Sequence, residues 1–147
     1  MAKPLWSCPH CERTFANRNQ THSCGTVGAL DAHFARRPPA VRELFDAFVA
    51  RVRAIGPVTI LPEKTRIAFH VRMSFAMVMP RHDALVGHLV LARRVDDPRL
   101  HKIETFSPRN HVHHFRVRSV AEIDAIAEWI AEAYAVSEQK HLGATAR

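Results

Sequence analysis

The apolar positions of this chain change period twice. Between residues 41 and 55 they recur at steps of three and four: Val41, Leu44, Phe45, Phe48, Val52 and Ile55. This spacing predicts one buried stripe on an amphipathic helix of about 16 residues. Pro38-Pro39 suits its first turn and bars any helix from running into it. Gly56-Pro57 ends it. From Arg66 the period becomes two. Ile67, Phe69, Val71 and Met73 alternate with Arg66, Ala68, His70 and Arg72, which predicts a strand with one core face and one face carrying bases to solvent.

Further strands are predicted at 74–79, 85–92, 102–106 and 112–117, separated by Pro80-Arg81-His82-Asp83, Asp96-Asp97-Pro98 and Ser107-Pro108-Arg109-Asn110. Turn chemistry this frequent implies antiparallel pairing. The period then returns to helical. Ser119 with Glu122 forms a capping box, and Ile123, Ile126, Ala127, Ile130, Ala133 and Tyr134 make a second stripe running to about residue 140. The expected fold is α+β, an antiparallel sheet of about five strands with an N-terminal and a C-terminal helix on one face. It occupies residues 29–147, after a small metal-binding unit at 1–28.

That unit rests on cysteine placement. All 3 cysteines lie between positions 8 and 24, as Cys8-Pro9-His10-Cys11 and then His22-Ser23-Cys24. A C-x2-C pair grips one ion from a tight turn, and thiolates with imidazole are ligands that a tetrahedral Zn²⁺ takes. Cys8, Cys11, His22 and Cys24 are therefore the expected ligands of a structural zinc, with the shell full and no position open for a catalytic water. Trp6 and Phe15 flank the pair and suggest a short hairpin or knuckle, too small to fold without its ion. An odd number of cysteines, all in ligand spacing, argues against a disulfide framework. With no long apolar run at the N-terminus, a soluble cytoplasmic protein without a membrane partner is expected.

Charge adds a candidate partner. The net charge is +7, and residues 64–118 alone hold eleven Lys or Arg against four Asp or Glu. Residues from 119 onward are net negative. Such segregation favours an anionic partner for the middle of the chain, with DNA or RNA the commonest. Arg66, Arg72, Arg109, Arg116 and Arg118 are the expected contacts. A solvated arginine-rich surface is the plain alternative. Aromatic residues mostly occupy stripe positions, so no base-stacking platform is visible.

A second constellation lies at Arg109-Asn110-His111-Val112-His113. On a strand, His111 and His113 share the face of Phe115 and Val117, at the mouth of the core beside the Arg109-Asn110 loop. Two imidazoles, a guanidinium and an amide there suit a phosphorylated or carboxylated metabolite, or acid-base work. The competing reading is that both histidines only satisfy a strand end. A metal held by His111, His113 and Glu104 is a third reading. Lys64-Thr65-Arg66 pairs a lysine with a hydroxyl, but the glycines of a phosphate-binding loop are missing, so it reads as a strand entrance. No catalytic motif is present, and a protein-interaction adaptor remains the third functional class.

The runs Trp6-Ser7-Cys8-Pro9, Cys11, Arg13 and Phe15, then Asn19-Gln20 and His22-Ser23-Cys24, then Lys64 to Phe69 and Ser107 to His111, resemble small bacterial proteins of the domain of unknown function 5655 group. The resemblance covers residues 30–142, with the zinc knuckle as an extension. It implies company with restriction or other DNA-processing modules, and it identifies no catalytic residue.

Overall fold

The computed structural model describes residues 5–7, 14–15 and 30–138. Two short strands, β1 (Trp6–Ser7) and β2 (Thr14–Phe15), pair antiparallel with Trp6 opposite Phe15. A 3-10 turn at Leu30–Phe34 precedes α1 (Pro39–Ile55). Six strands follow: β3 (Thr59–Pro62), β4 (Ile67–His70), β5 (Ser74–Pro80), β6 (Leu85–Leu91), β7 (Lys102–Ser107) and β8 (Asn110–Val117). The chain then forms α2 (Val120–Ala125) and α3 (Ala127–Ser137). The main sheet is antiparallel throughout, in the order β3-β4-β5-β6-β8-β7. Each hairpin sits beside the last except at β7, which the chain places outside β8.

The α1 stripe packs where its period predicts from Val41 to Val52, whereas Ile55, the last member expected, is 40% exposed at the end of the helix. Val41, Leu44, Phe45, Phe48 and Val52 are buried in one core with Ile67, Phe69, Ala76, Val78, Leu85, Leu89, Phe115 and Val117 from alternate positions of the sheet. Phe48 joins helix to sheet, with its ring 5.1 Å from Phe69 and stacked 5.8 Å from Phe115. Full burial of such a side chain is worth about 2–3 kcal/mol. Opposite Phe115 in the ladder stands Gly87. A Cβ there would meet the Met77 carbonyl and lie 3.0 Å from the Phe115 ring, so the large residue needs the small one. Gly56 ends α1 in extended backbone, and its lack of a side chain admits the Tyr134 ring. The Tyr134 hydroxyl donates to the Pro57 carbonyl at 2.7 Å and ties the end of α1 to α3.

Four expectations need correction. The sheet has six strands because Thr59–Pro62 adds an edge strand, too short and too near Pro57 to show a period. The C-terminal helix is two helices, broken at Ile126, where φ −105 and ψ 8 leave helical geometry. The Ser119 cap is present, with the Glu122 N–H donating to Ser119 Oγ at 3.2 Å, while the Glu122 carboxylate reaches one residue further back and accepts from the Arg118 N–H at 3.0 Å. The strand foreseen through Met73 stops at His70, where the register shifts between Phe69 and His70. Its second face is not solvated either: Ala68 and His70 are 2% and 4% exposed. Among the described residues, no helix is long and apolar enough to cross a membrane.

Candidate functional site

The proposed zinc ligands Cys8, Cys11, His22 and Cys24 lie outside the described residues. The described part of that segment is the β1–β2 pairing, whose register brackets the Cys8–Cys11 stretch in sequence.

Both histidines of the β8 cluster face the core, as their parity predicts, and are 6% and 0% exposed. Their ring nitrogens are engaged within the protein. His113 Nδ1 donates to the His111 carbonyl at 3.0 Å, and its Nε2 accepts from the Val95 N–H at 2.9 Å. That pattern fixes a neutral imidazole, and burial holds its pKa below the ordinary histidine value. His111 Nε2 donates to the Pro108 carbonyl at 3.0 Å, while Nδ1 accepts from Thr105 Oγ1 at 2.9 Å. Arg94 in turn donates to Thr105 Oγ1 at 2.7 Å. These bonds close the β7–β8 hairpin and pin the connection that enters it. Arg109 is exposed at the hairpin tip and Asn110 is half-buried. The metal reading also separates: Glu104 lies on the opposite face and accepts from His114 Nε2 at 2.7 Å. Among the described residues, no group of three or more His, Cys, Asp or Glu is placed to hold a metal ion.

The five expected arginines do not make one patch. Through the pairings Ile67↔Val78, Met79↔Val86 and Val86↔Arg116, Arg66 falls in line with Arg116 on the outer sheet face. Three strand spacings of ~4.8 Å separate them by about 14 Å. Arg66 pairs with Glu63 at 3.3 Å, and Arg118 with Asp83 at 3.5 Å. Arg72 sits in the β4–β5 turn at the far end of the sheet, where its N–H donates to the Ser137 carbonyl. Arg109 shares that far end. Between the rows, the outer face carries Met77, His88 and His114 side by side. Burial first, then the neighbouring His114 imidazole, lowers the His88 pKa to about 4.

The cations that do converge stand at the near end, where the β3–β4 and β5–β6 turns meet the start of α1. A cleft of about 330 Å³ is lined there by Ala32, His33, Arg37, Glu63, Lys64, Thr65, Pro80 and Arg81. Arg37, Lys64 and Arg81 come from three separate segments, and among the described residues none of them has an ion-pair partner. Glu63 is the one carboxylate in the lining, and Arg66 stands against it. Only Arg66 of the expected set touches this site, and only through Glu63. The members of this site lie tens of residues apart in sequence, where no local pattern joins them. Lys64-Thr65 was the visible signal.

A second cavity at the same end, about 270 Å³, is lined by Arg99, His101, Arg116 and Glu122 among others. Its chief cation is already occupied. Arg99 binds Asp97 at 2.8 Å, donates to the Ala125 carbonyl at 2.9 Å and lies 4.7 Å over the Trp129 ring. Arg99 holds the Asp97 carboxyl at about 2.

Residues 30–137 match the family described as Domain of unknown function (DUF5655). The chain belongs to it. The DUF5655 match begins at the 3-10 turn before α1 and ends with α3. It therefore contains the Lys64–Phe69 and Ser107–His111 runs, whereas the Trp6–Cys24 run lies outside it. No curated protein and no solved structure matches the chain.

Proposed function

We propose that this protein binds nucleic acid through the basic end of its sheet, with Arg37, Lys64 and Arg81 as the central contacts and Arg116, on the outer sheet face at the same end, as a further one. The observation that carries the reading is the cleft at the β3–β4 and β5–β6 turns. Three cations from separate segments face one space there with no carboxylate partner of their own among the described residues. Cations placed close together without counter-charge repel one another, and a bound phosphate relieves that repulsion. The charge excess of residues 64–118 supports the same reading at the level of the whole chain. No reaction is assigned.

The N-terminal segment enters the proposal as a structural zinc unit. Its support is the C-x2-C spacing and the clustering of every cysteine between positions 8 and 24.

Fluorescence anisotropy against single-stranded DNA, duplex DNA and RNA of one length, each over a range of salt, tests the binding. Four phosphate contacts give a log–log salt slope of about −3. A Lys64→Ala/Arg81→Ala double variant should lose about half of that slope with its fold intact. Binding indifferent to salt, or absent at low salt, refutes the proposal. Equal affinity for a sulfated polysaccharide would show that charge density alone is recognised and remove the nucleic-acid assignment.

A further inference from the structure

The cleft is concave and its charge is concentrated, which bears on which phosphate enters it. Once Arg66 is set against Glu63, Arg37, Lys64 and Arg81 leave an excess of three positive charges around about 330 Å³. Thr65 adds a hydroxyl donor and His33 an imidazole to the same walls. Residues of the 3-10 turn, Ala32 and His33, bound the space together with Pro80 of β5. An internal phosphodiester carries a single negative charge and leaves most of this excess unmatched. A phosphate monoester carries close to two charges at neutral pH and three acceptor oxygens, which three cations and a hydroxyl can satisfy together. Arg66, Arg99 and Arg118 at this end are paired with carboxylates, whereas Arg116 lies on the outer sheet face away from the cleft, in position for an internal phosphate of the same strand.

Resting on the nucleic-acid reading above, we infer that the Arg37–Lys64–Arg81 cleft is a subsite for the phosphate monoester at a strand end, and that the protein distinguishes phosphorylated from unphosphorylated termini. The shared chemistry is the monoester, whether at a 5′ end, at a 3′ end or on a free nucleotide. The second cavity does not fit this role, since Arg99 is held by Asp97 and Glu122 adds a carboxylate.

The test uses the full chain and single-stranded oligonucleotides of one sequence bearing a 5′-phosphate, a 3′-phosphate or hydroxyls at both ends, with the dye placed internally. One phosphorylated form should bind about tenfold more tightly than the hydroxyl form, the gain from added charge-assisted hydrogen bonds. The Lys64→Ala/Arg81→Ala variant should erase that ratio, while Arg116→Ala should weaken all forms by the same factor and preserve it. The 5′ and 3′ arms identify which end is read. Competition by a nucleoside monophosphate that removes only the preference would show that the free nucleotide is taken too. Equal, salt-sensitive binding of all three forms overturns the subsite and leaves the nucleic-acid reading standing. Failure of all three to bind at low salt overturns both.

Discussion

Replacing His113 with leucine removes one imidazole from a fully buried position and leaves two backbone groups to be accounted for. In the native chain, Val95 N–H donates to Nε2 at 2.9 Å and the His111 carbonyl accepts from Nδ1 at 3.0 Å. Leucine supplies neither partner. The stranded N–H costs about 1–3 kcal/mol and the carbonyl somewhat less, while the added apolar surface returns about 1 kcal/mol. The expected net loss near neutral pH is about 2 kcal/mol, or a melting temperature lower by roughly 4–8 °C for a domain of this size. Urea unfolding followed by far-ultraviolet circular dichroism measures it.

The same variant carries a signature in pH. Burial lowers the pKa of His113 in the fold from its ordinary 6.5. As pH falls through 6.5, the unfolded chain takes up a proton there that the folded chain refuses, so the native protein loses stability on acidification. Leucine has no proton to gain. The gap between native and H113L proteins should therefore narrow as pH drops from about 7.5 to about 5. His88, held at about 4, pushes both proteins in the same direction and cancels from the difference. A penalty below about 0.5 kcal/mol would refute the hydrogen-bond argument. So would a gap that ignores pH. A variant of unchanged stability that lost oligonucleotide binding would instead make His113 a ligand contact.

Ser137 is fully buried, receives the Val71 N–H at 3.3 Å and donates to the Met73 carbonyl at 2.5 Å. Ser137→Ala should cost about 2 kcal/mol in urea unfolding by freeing the β4–β5 turn from α3. Gly87→Val drives a side chain into the Met77 carbonyl and the Phe115 ring, and should cost about 3 kcal/mol or more, with Gly87→Ala intermediate. A soluble Gly87→Val protein with native stability would contradict the packing of β5, β6 and β8. Protein purified without chelator should contain about one zinc per chain, lost together with Cys8→Ser or Cys11→Ser. Metal analysis showing none in the native chain would end the knuckle assignment.

How much was legible follows the length and regularity of each signal. The α1 stripe covers about three turns and is read unambiguously from Val41 to Val52. The parity of β8 is equally plain, so the inward direction of His111 and His113 was legible, but what their nitrogens meet was not. Val95, Thr105 and Pro108 reach them from other turns and strands. Strand β3 has four residues, and partial burial on both of its faces leaves no alternation to read. The break at Ile126 has no glycine or proline to announce it, because Ile123, Ile126 and Ile130 keep pointing at the core on both sides. The cleft cations were hidden for another reason. Charge composition marks a stretch of chain, whereas a site depends on which turns share an end of the sheet, and that is decided by pairing.

Strand order has a consequence for motion. β7 contributes no buried residue, pairs only with β8, and is held at its inner end by the Arg94–Thr105–His111 chain. The hydrophobic core closes through β4, β5, β6 and β8 without it. The outermost strand can therefore detach and re-form while the remainder of the domain stays assembled, a local opening far cheaper than global unfolding. Amide protons of residues 102–107 should exchange with solvent orders of magnitude faster than those of β6, and the opening would transiently bare the β8 edge to a neighbouring chain.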